Sequence, residues 1–554
     1  MLSFSPLTNA LAYAPQKPLT EIQPDDGLHS GAQSGLSVEA GLKDSNATEL
    51  WSWSPPVETL QDLLGALRDM QDHYFVLWMG TWPTSIDWTA AVLGTHVVAT
   101  LSSYTSSLSS DADAEQSPKP ISLAAENTVN TYFSQMATFY FGENAFSLRN
   151  QAYDDMLWVV LDWLENVKFQ DLHTDLHYSS PNSTSKQDWY GTQFRHSAAH
   201  RARVFYELAS AGWDKSLCGG GMIWNPTLIP YKNAITNELY ISASIAMYLY
   251  FPGDPIDSPF IANSQSNRTY PHNPTHLKAA VDAYAWLKKS NMTGAGGLYA
   301  DGFHISGWQS SSNPGSKKCD ELNKMVYTYN QGVVLSGLRG LWLGTGNQDY
   351  LRDGHELVHK VLRATGWPQT KSNKWAGLGR GGVLEEACDS HASCSQNGQT
   401  FKGILFHHLT EFCRPLRPQE ERFLADGKRQ PIADEEWDEV YARHLIRCRA
   451  YGPWVEHNAR AALVTRDDDG KFGTWWGVPF RQSTSALEET MSSSSLPAGA
   501  VDYRNFDVTF DASIMDGVPR DFNDRGRGRT VETQSGGVAV LRALFQWQTT
   551  AALS

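Results

Sequence analysis

No stretch of the 554-residue chain approaches the roughly 18 uncharged apolar residues of a membrane-crossing helix, so no span is expected. Clustered Lys and Arg are also scarce. With a net charge of −15 the chain does not suit a phosphate backbone, and the one short basic run, Arg525-Gly-Arg-Gly-Arg529, reads as a solvated loop. No nucleic-acid partner is therefore expected. The sequence has no Gly-x-Ser-x-Gly elbow and no phosphate-loop signature. Gly377-Leu-Gly-Arg-Gly-Gly382 echoes a nucleotide loop but follows no strand pattern. His173/His177 and His196/His200 have the spacing of metal pairs on a helix face, yet neither has the Glu of His-Glu-x-x-His. Neither metal nor cofactor is expected. The N-terminus lacks a basic n-region and a solid apolar h-region, and the C-terminus lacks the apolar tail of a lipid-anchor signal.

What is present is a globular composition, 41% hydrophobic and 19% charged, with 12% aromatic residues including 20 Trp. Residues 1–50, rich in Pro, Gly, Ser and Asp, show no sustained period and are expected to be a disordered lead-in. Residues 51–554 are expected to form a single domain, and the chain a monomer. Apolar residues recur at helical spacing: Leu60, Leu63, Leu64, Leu67 and Met70; Met156, Val160, Trp163, Leu164 and Val167; Ile235, Leu239, Ala243 and Ala246. Asn273-Pro274 reads as a cap followed by Pro in the first helical position. Further stripes start at Leu277, Phe401 and Val538, and long Gly/Ser/Asn-rich connections such as 252–272, 290–318 and 488–535 separate them. About a dozen helices emerge, with no alternating strand series beside them. The fold class is all-α, and the helix number fits an (α/α)6 toroid of paired inner and outer helices, although periodicity alone does not establish the ring.

Six cysteines permit three disulfides, and Cys388 and Cys394 stand close enough to close a small loop. Acceptor sequons at Asn46, Asn182, Asn267 and Asn291 suit a secreted glycoprotein, so an extracellular or cell-wall location is expected despite the weak N-terminal signal.

Two adjacent carboxylates, Asp154 and Asp155, sit just ahead of an apolar helical stripe. As structure they are good caps and first-turn acids. As chemistry they are the pair that sugar hydrolysis requires, one acid/base and one nucleophile or water activator. The helix dipole and their mutual repulsion act in opposite senses, which can leave one ionised and the other protonated.

Four ordered motifs extend this reading: Tyr153-Asp-Asp-Met-Leu-Trp158, Cys218-Gly-Gly-Gly-Met-Ile-Trp224, Tyr231-Lys-Asn-Ala-Ile-Thr-Asn237 and Tyr327-Thr-Tyr-Asn-Gln-Gly332. Tyr299-Ala-Asp-Gly302 and the Cys388…Cys394…Phe401-Lys-Gly403 region add looser matches. Together they resemble glycoside hydrolase family 76, which includes endo-α-1,6-mannanases and fungal cell-wall transglycosidases. The resemblance implies the (α/α)6 toroid and a retaining cleavage of α-1,6-mannosidic bonds in mannan or mannoprotein glycans. It makes Asp154 the nucleophile and Asp155 the acid/base, and puts Tyr153, Asn233, Asn237, Asp301, Tyr329 and Asn330 against an α-mannan substrate. Trp158 and Trp224 would buttress the cleft wall. Longer segments at 170–192, 415–435 and 488–535 would reshape the cleft ends. Transglycosylation on the same scaffold and a catalytically silent carbohydrate-binding protein are the competing readings.

Overall fold

The computed structural model describes residues 56–108, 121–178, 189–256, 270–308, 317–425, 436–477, 496–505 and 521–552. The lead-in expected at 1–50 lies outside the described residues, as do the sequons at Asn46, Asn182 and Asn267.

Helices alternate between an outer and an inner layer. In chain order they are α1 (Pro56–Tyr74), α2 (Asp87–Leu108), α3 (Leu123–Gly142), the single turn α4 (Ala145–Leu148), α5 (Tyr153–His177), α6 (Arg195–Ser210), α7 (Ala234–Tyr250) and α8 (Pro274–Ser290). They continue with α9 (Thr328–Thr345), α10 (Asp349–Ala364), α11 (Gln396–Cys413), α12 (Pro418–Ala425), α13 (Trp437–Arg449), α14 (Gly452–Leu463) and α15 (Val531–Ala552). Inner helices pack in sequence, α2 on α5, α5 on α7, α7 on α9, α9 on α11 and α11 on α15, and α15 returns to α2 to close an (α/α)6 toroid. The outer layer is α1, α3, α6, α8, α10 and α14, with α4, α12 and α13 as additions.

The two layers differ because they meet different surroundings. Outer helix α10 buries one stripe, Leu351, Leu357, Val358, Val361 and Leu362, as an amphipathic surface helix should. Inner helix α7 buries every residue except Ala246 and Tyr250. Glycines let inner helices approach: a Cβ on Gly340 of α9 would lie 2.8 Å from Ile245 of α7.

Caps agree with the sequence where it was explicit. Asn273 Oδ1 accepts from Thr275 N at 3.0 Å, with Pro274 in the first helical turn. Two expectations shift. Helix α5 runs to His177, so the first part of the 170–192 connection is helical. Short strands also occur within the long connections: β1 (Lys232–Asn233), β2 (Gly302–His304) and β3 (Glu321–Asn323) form an antiparallel sheet, and β4 (Gly379–Arg380) pairs with β5 (Val383–Leu384).

An outer helix lies between each inner helix and the next, and the inner helices run in the same direction. Their first turns meet at one end: Trp88 Nε1 donates to Asn397 Oδ1 at 3.0 Å, and Thr89 Oγ1 and Gln396 Nε2 both donate to Glu532 Oε1 at 3.0 Å. At the opposite end Arg339, Arg414 and Arg542 gather with Glu411 and Glu420. Cations are favoured there, beside helix C-termini.

Three disulfides staple the ring: Cys218–Cys319, Cys413–Cys448 and the expected Cys388–Cys394, whose Cα atoms are 4.9 Å apart. No described helix is long and apolar enough to cross a membrane.

Candidate active site

Asp154 and Asp155 occupy the first turn of α5, at the end of the toroid where the inner helices begin. The capping residue is Ala152, which has no side-chain acceptor. Asp155 takes over that task, its Oδ2 accepting from Ala152 N at 3.2 Å. The cap role weighed from sequence is therefore real, and it falls to one aspartate only. Asp154 turns the other way: Oδ1 accepts from Asp155 N at 3.2 Å, and Oδ2 lies 3.3 Å from Nη2 of Arg504.

Electrostatics separates the neighbours further. Burial raises the Asp154 carboxyl above its ordinary range, while Arg504 and local N–H donors pull it back. Asp155 is pushed well above its ordinary value, first by burial and then by the negative charge of Asp154. The proton is thus held more readily at Asp155 than at Asp154, and the two titrate as a pair.

The loops around the pair are locked to one another. Tyr153 N donates to the carbonyl of Trp224 at 2.9 Å, and Trp224 N to that of Tyr231 at 2.8 Å. Just ahead of Trp224 runs Cys218-Gly219-Gly220-Gly221, four consecutive residues with positive φ. That backbone, which glycine adopts at little cost, turns carbonyls inward around a buried ammonium. Lys232 Nζ donates to the carbonyls of Asp214 at 2.8 Å and of Leu217 and Gly221 at 2.9 Å, and to that of Gly220. Burial draws the Lys232 pKa down to about 8, against the pull of Asp214.

Strand pairing then assembles the far wall. The register sets Asn233 against Gly302 and Gly302 against Asn323, which brings Asp301 alongside. Asp301 Oδ2 accepts from Tyr231 Oη at 2.6 Å and from Asn323 Nδ2 at 3.2 Å. Several buried polar atoms in this region have no hydrogen-bond partner among the described residues: both ends of Asn233 and of Asn330, Asp301 Oδ1 and Trp224 Nε1. Asn233 stands at the N-cap position of α7 yet makes no side-chain cap bond. Buried polar groups rarely go unpaired, and such a set is what a polyhydroxyl ligand can satisfy.

The remaining residues singled out from sequence fall as follows. Tyr329 is buried and stacks on Phe401, ring centroids 3.8 Å apart. The Tyr153 ring is half-buried, close against Gly212. Asn237 is fully buried and already engaged: Oδ1 accepts from Met222 N at 2.8 Å, and Nδ2 donates to the carbonyls of Asn233 at 2.8 Å and Met222 at 3.3 Å. It holds the glycine-rich loop. Trp158 lies in the core of the ring, stacked on Trp88 at 5.6 Å. The histidine pairs are structural: His173 Nδ1 and His177 Nε2 both meet Thr105 Oγ1, and His200 pairs with Asp254. His355, His444 and Cys448 cluster within 4.8 Å, but that sulfur is bonded to Cys413. A cavity of about 60 Å³ near the toroid's far end, beside Glu165, Lys168, His408, Glu411 and Arg414, belongs to the ion network there.

Sequence reasoning missed Arg504. It lies in the 488–535 connection, expected to reshape a cleft end, but no local pattern marks this residue within it. Residues 496–505 form a strap over the end of the toroid at which α5, α9 and α11 begin, which is its mouth. Val501 N donates to Asn323 Oδ1 at 2.8 Å, Tyr327 Oη donates to Asp502 Oδ1 at 2.7 Å, and Ser395 Oγ donates to the Arg504 carbonyl at 2.7 Å. The guanidinium lies 5.2 Å from the centroid of the Trp224 ring.

The sequence profile of glycosyl hydrolase family 76 matches residues 121–426, more than half of the chain and all of the four motifs. The chain belongs to glycosyl hydrolase family 76. It is 21% identical over 285 residues to the mannan endo-1,6-alpha-mannosidase DCW1 of Candida glabrata, covering 47% of this chain and 53% of that protein. To the DCW1 protein of Saccharomyces cerevisiae it is 24% identical over 218 residues, 38% of each chain. The matches thus span about half of these relatives or less. Among solved structures, Dfg5 from Chaetomium thermophilum in complex with glucosamine superposes with a TM-score of 0.52 at 13% identity, covering 90% of this chain and 92% of that one. At that identity the likeness concerns the fold.

Proposed function

We propose that the protein is a retaining glycoside hydrolase of α-1,6-linked mannan or mannoprotein glycans, with Asp154 as nucleophile and Asp155 as general acid/base. One observation carries the reading. Two adjacent carboxylates in a single helix turn make unlike contacts, Asp154 with Arg504 and Asp155 with a backbone N–H, at a mouth that also holds unpaired buried hydrogen-bonding groups. Asp154, beside a guanidinium and the N-terminal end of a helix, is suited to remain ionised. Asp155, beside Asp154, is suited to carry a proton.

In the first step the Asp154 carboxylate attacks the anomeric carbon, the glycosidic C–O bond breaks, and Asp155 gives its proton to the departing oxygen. In the second step the Asp155 carboxylate takes a proton from water, whose oxygen displaces Asp154 from the sugar. Asn233, Asp301 and Asn330 supply donors and acceptors for sugar hydroxyls. The family membership and the mannanase names of the relatives support α-1,6-mannan as the glycan. Three disulfides support an oxidising, extracellular setting.

Incubation with linear α-1,6-mannan, followed by sizing of products and NMR of the newly formed reducing ends, tests the reading. Shorter chains released first as the α-anomer are expected. Release as the β-anomer would refute the retaining mechanism. Products longer than the substrate would make a sugar the acceptor in place of water.

A further inference from the structure

We infer that Arg504 is a positioning residue of this reaction: its guanidinium, delivered across the mouth by the 496–505 strap, fixes the Asp154 carboxylate in the orientation from which it attacks the sugar. The inference rests on the assignment of Asp154 as nucleophile.

Contact selectivity is the first ground. Among the described residues Asp154 is the one carboxylate within ion-pair distance of Arg504, at 3.3 Å. Its chain neighbour Asp155 is turned back onto Ala152 N. The cation therefore distinguishes two chemically identical side chains that differ by one position.

Immobilisation is the second. The guanidinium lies over the Trp224 ring, and Trp224 is itself bonded through its carbonyl to Tyr153 N, the residue before Asp154. Ring, arginine and carboxylate form one connected unit, the kind of preorganisation that makes an electrostatic contact effective in a site shielded from water.

The third ground separates this role from mere anchoring. The strap is held by contacts that do not use the arginine side chain: Val501 N to Asn323, Tyr327 Oη to Asp502, Asn505 Oδ1 accepting from Ser395 N at 2.8 Å, and Ser395 Oγ to the Arg504 carbonyl. Shortening the side chain leaves those intact. The charge of Arg504 meanwhile favours the ionised form of Asp154, and it also interacts with Asp301 and Tyr329. Removing the cation raises the Asp154 pKa, so the acid limb of kcat/KM must move to higher pH. Loss of a purely structural residue lowers the profile without moving it.

The test compares Arg504→Ala, Arg504→Gln and Arg504→Lys with the parent, reading kcat/KM against pH on α-1,6-mannotetraose. Arg504→Ala and Arg504→Gln should lose about 100-fold or more, with the acid limb raised by about one pH unit. Arg504→Lys should keep the limb near the parent position. Added guanidinium chloride at millimolar levels should restore part of the Arg504→Ala rate and return its limb. An unmoved limb in both Ala and Gln variants, with no guanidinium rescue, overturns the inference at any residual activity. Should Arg504→Ala fail to fold, the Gln and Lys comparison decides alone. Asp154→Ala is run alongside. If it cleaves mannan at the parent rate, the nucleophile assignment fails; if it is inactive while the Arg504 variants keep the parent profile shape, only the positioning role fails.

Discussion

Lys232 Nζ lies 2.9 Å from the carbonyl oxygen of Gly221, inside a loop whose carbonyls converge on that single ammonium. The triple glycine of the second motif and the lysine of the third are thus two halves of one device. Lys232→Met should leave these carbonyls unpaired and cost about 3 kcal/mol or more in denaturant unfolding. It should also lower activity on mannan, because the same loop carries Trp224. A loss below about 0.5 kcal/mol, the range of a neutral surface change, would show that the cage is incidental.

The aspartates should separate by substrate. Asp154→Ala is expected to abolish turnover of every mannoside. Asp155→Ala should lose about 10²–10⁴-fold on mannan yet form the glycosyl-enzyme from a dinitrophenyl mannoside, whose leaving group departs without a proton. Azide should then accelerate its second step and release mannosyl azide. Equal losses on both substrates, without azide rescue, would remove the acid/base role from Asp155.

For the parent enzyme, kcat/KM should be bell-shaped. Its acid limb reports the ionisation that frees Asp154, and its alkaline limb the loss of the Asp155 proton. Both limbs should lie above the ordinary aspartate value of about 3.9, because burial raises both carboxyls. The two values belong to the coupled pair, not to single residues. A flat profile from pH 4 to 9 would count against the pairing.

Glu238 offers a stability test away from the chemistry. It is fully buried on α7, neither carboxyl oxygen has a partner among the described residues, and burial pushes its pKa well up. The folded state holds this proton at higher pH than the unfolded chain does. Its stabilisation is therefore complete below the unfolded value of about 4.3 and declines as pH rises above it. Glu238→Gln should gain stability over the parent as pH climbs from 4 to 8, followed by urea unfolding at each pH. A gain independent of pH would mean that Glu238 does not hold its proton.

Disulfide removal should rank by loop length. Replacing Cys218 and Cys319 with Ser opens a separation of 101 residues and should cost about 2–4 kcal/mol. The same change at Cys388 and Cys394 opens only 6 and should cost less. Thermal unfolding of the two variants gives the order directly.

The helical stripes were legible because an inner or outer helix must bury a periodic face, and the Asn273-Pro274 start was legible because a cap is local chemistry. The Asp154–Asp155 pair could be found, but spacing alone favoured the cap, and only the ordered motifs around it pointed to a catalyst. The structure gives Asp155 the cap and Asp154 the arginine. Asn233 and Asn237 looked alike in the sequence. One is left unpaired at the start of α7, and the other is consumed by the backbone of Met222 and Asn233. That difference depends on where a loop 15 residues earlier comes to rest. Arg504 lay beyond sequence reasoning altogether, because its partner is 350 residues away and no periodic signal spans such a gap.

The ring also has a seam. Helix α15 fills the gap between α11 and α2 and carries α1 on its outer side, with Gln534 Nε2 donating to the Ala66 carbonyl across 468 residues. Take α15 away and the other five inner helices would form an open crescent, with the faces of α1, α2, α11 and α14 that pack on it uncovered. Closure of the ring therefore joins segments more than 400 residues apart, a non-local step that slows folding. A ring left open at this seam would expose apolar surface of the kind through which partly folded chains aggregate.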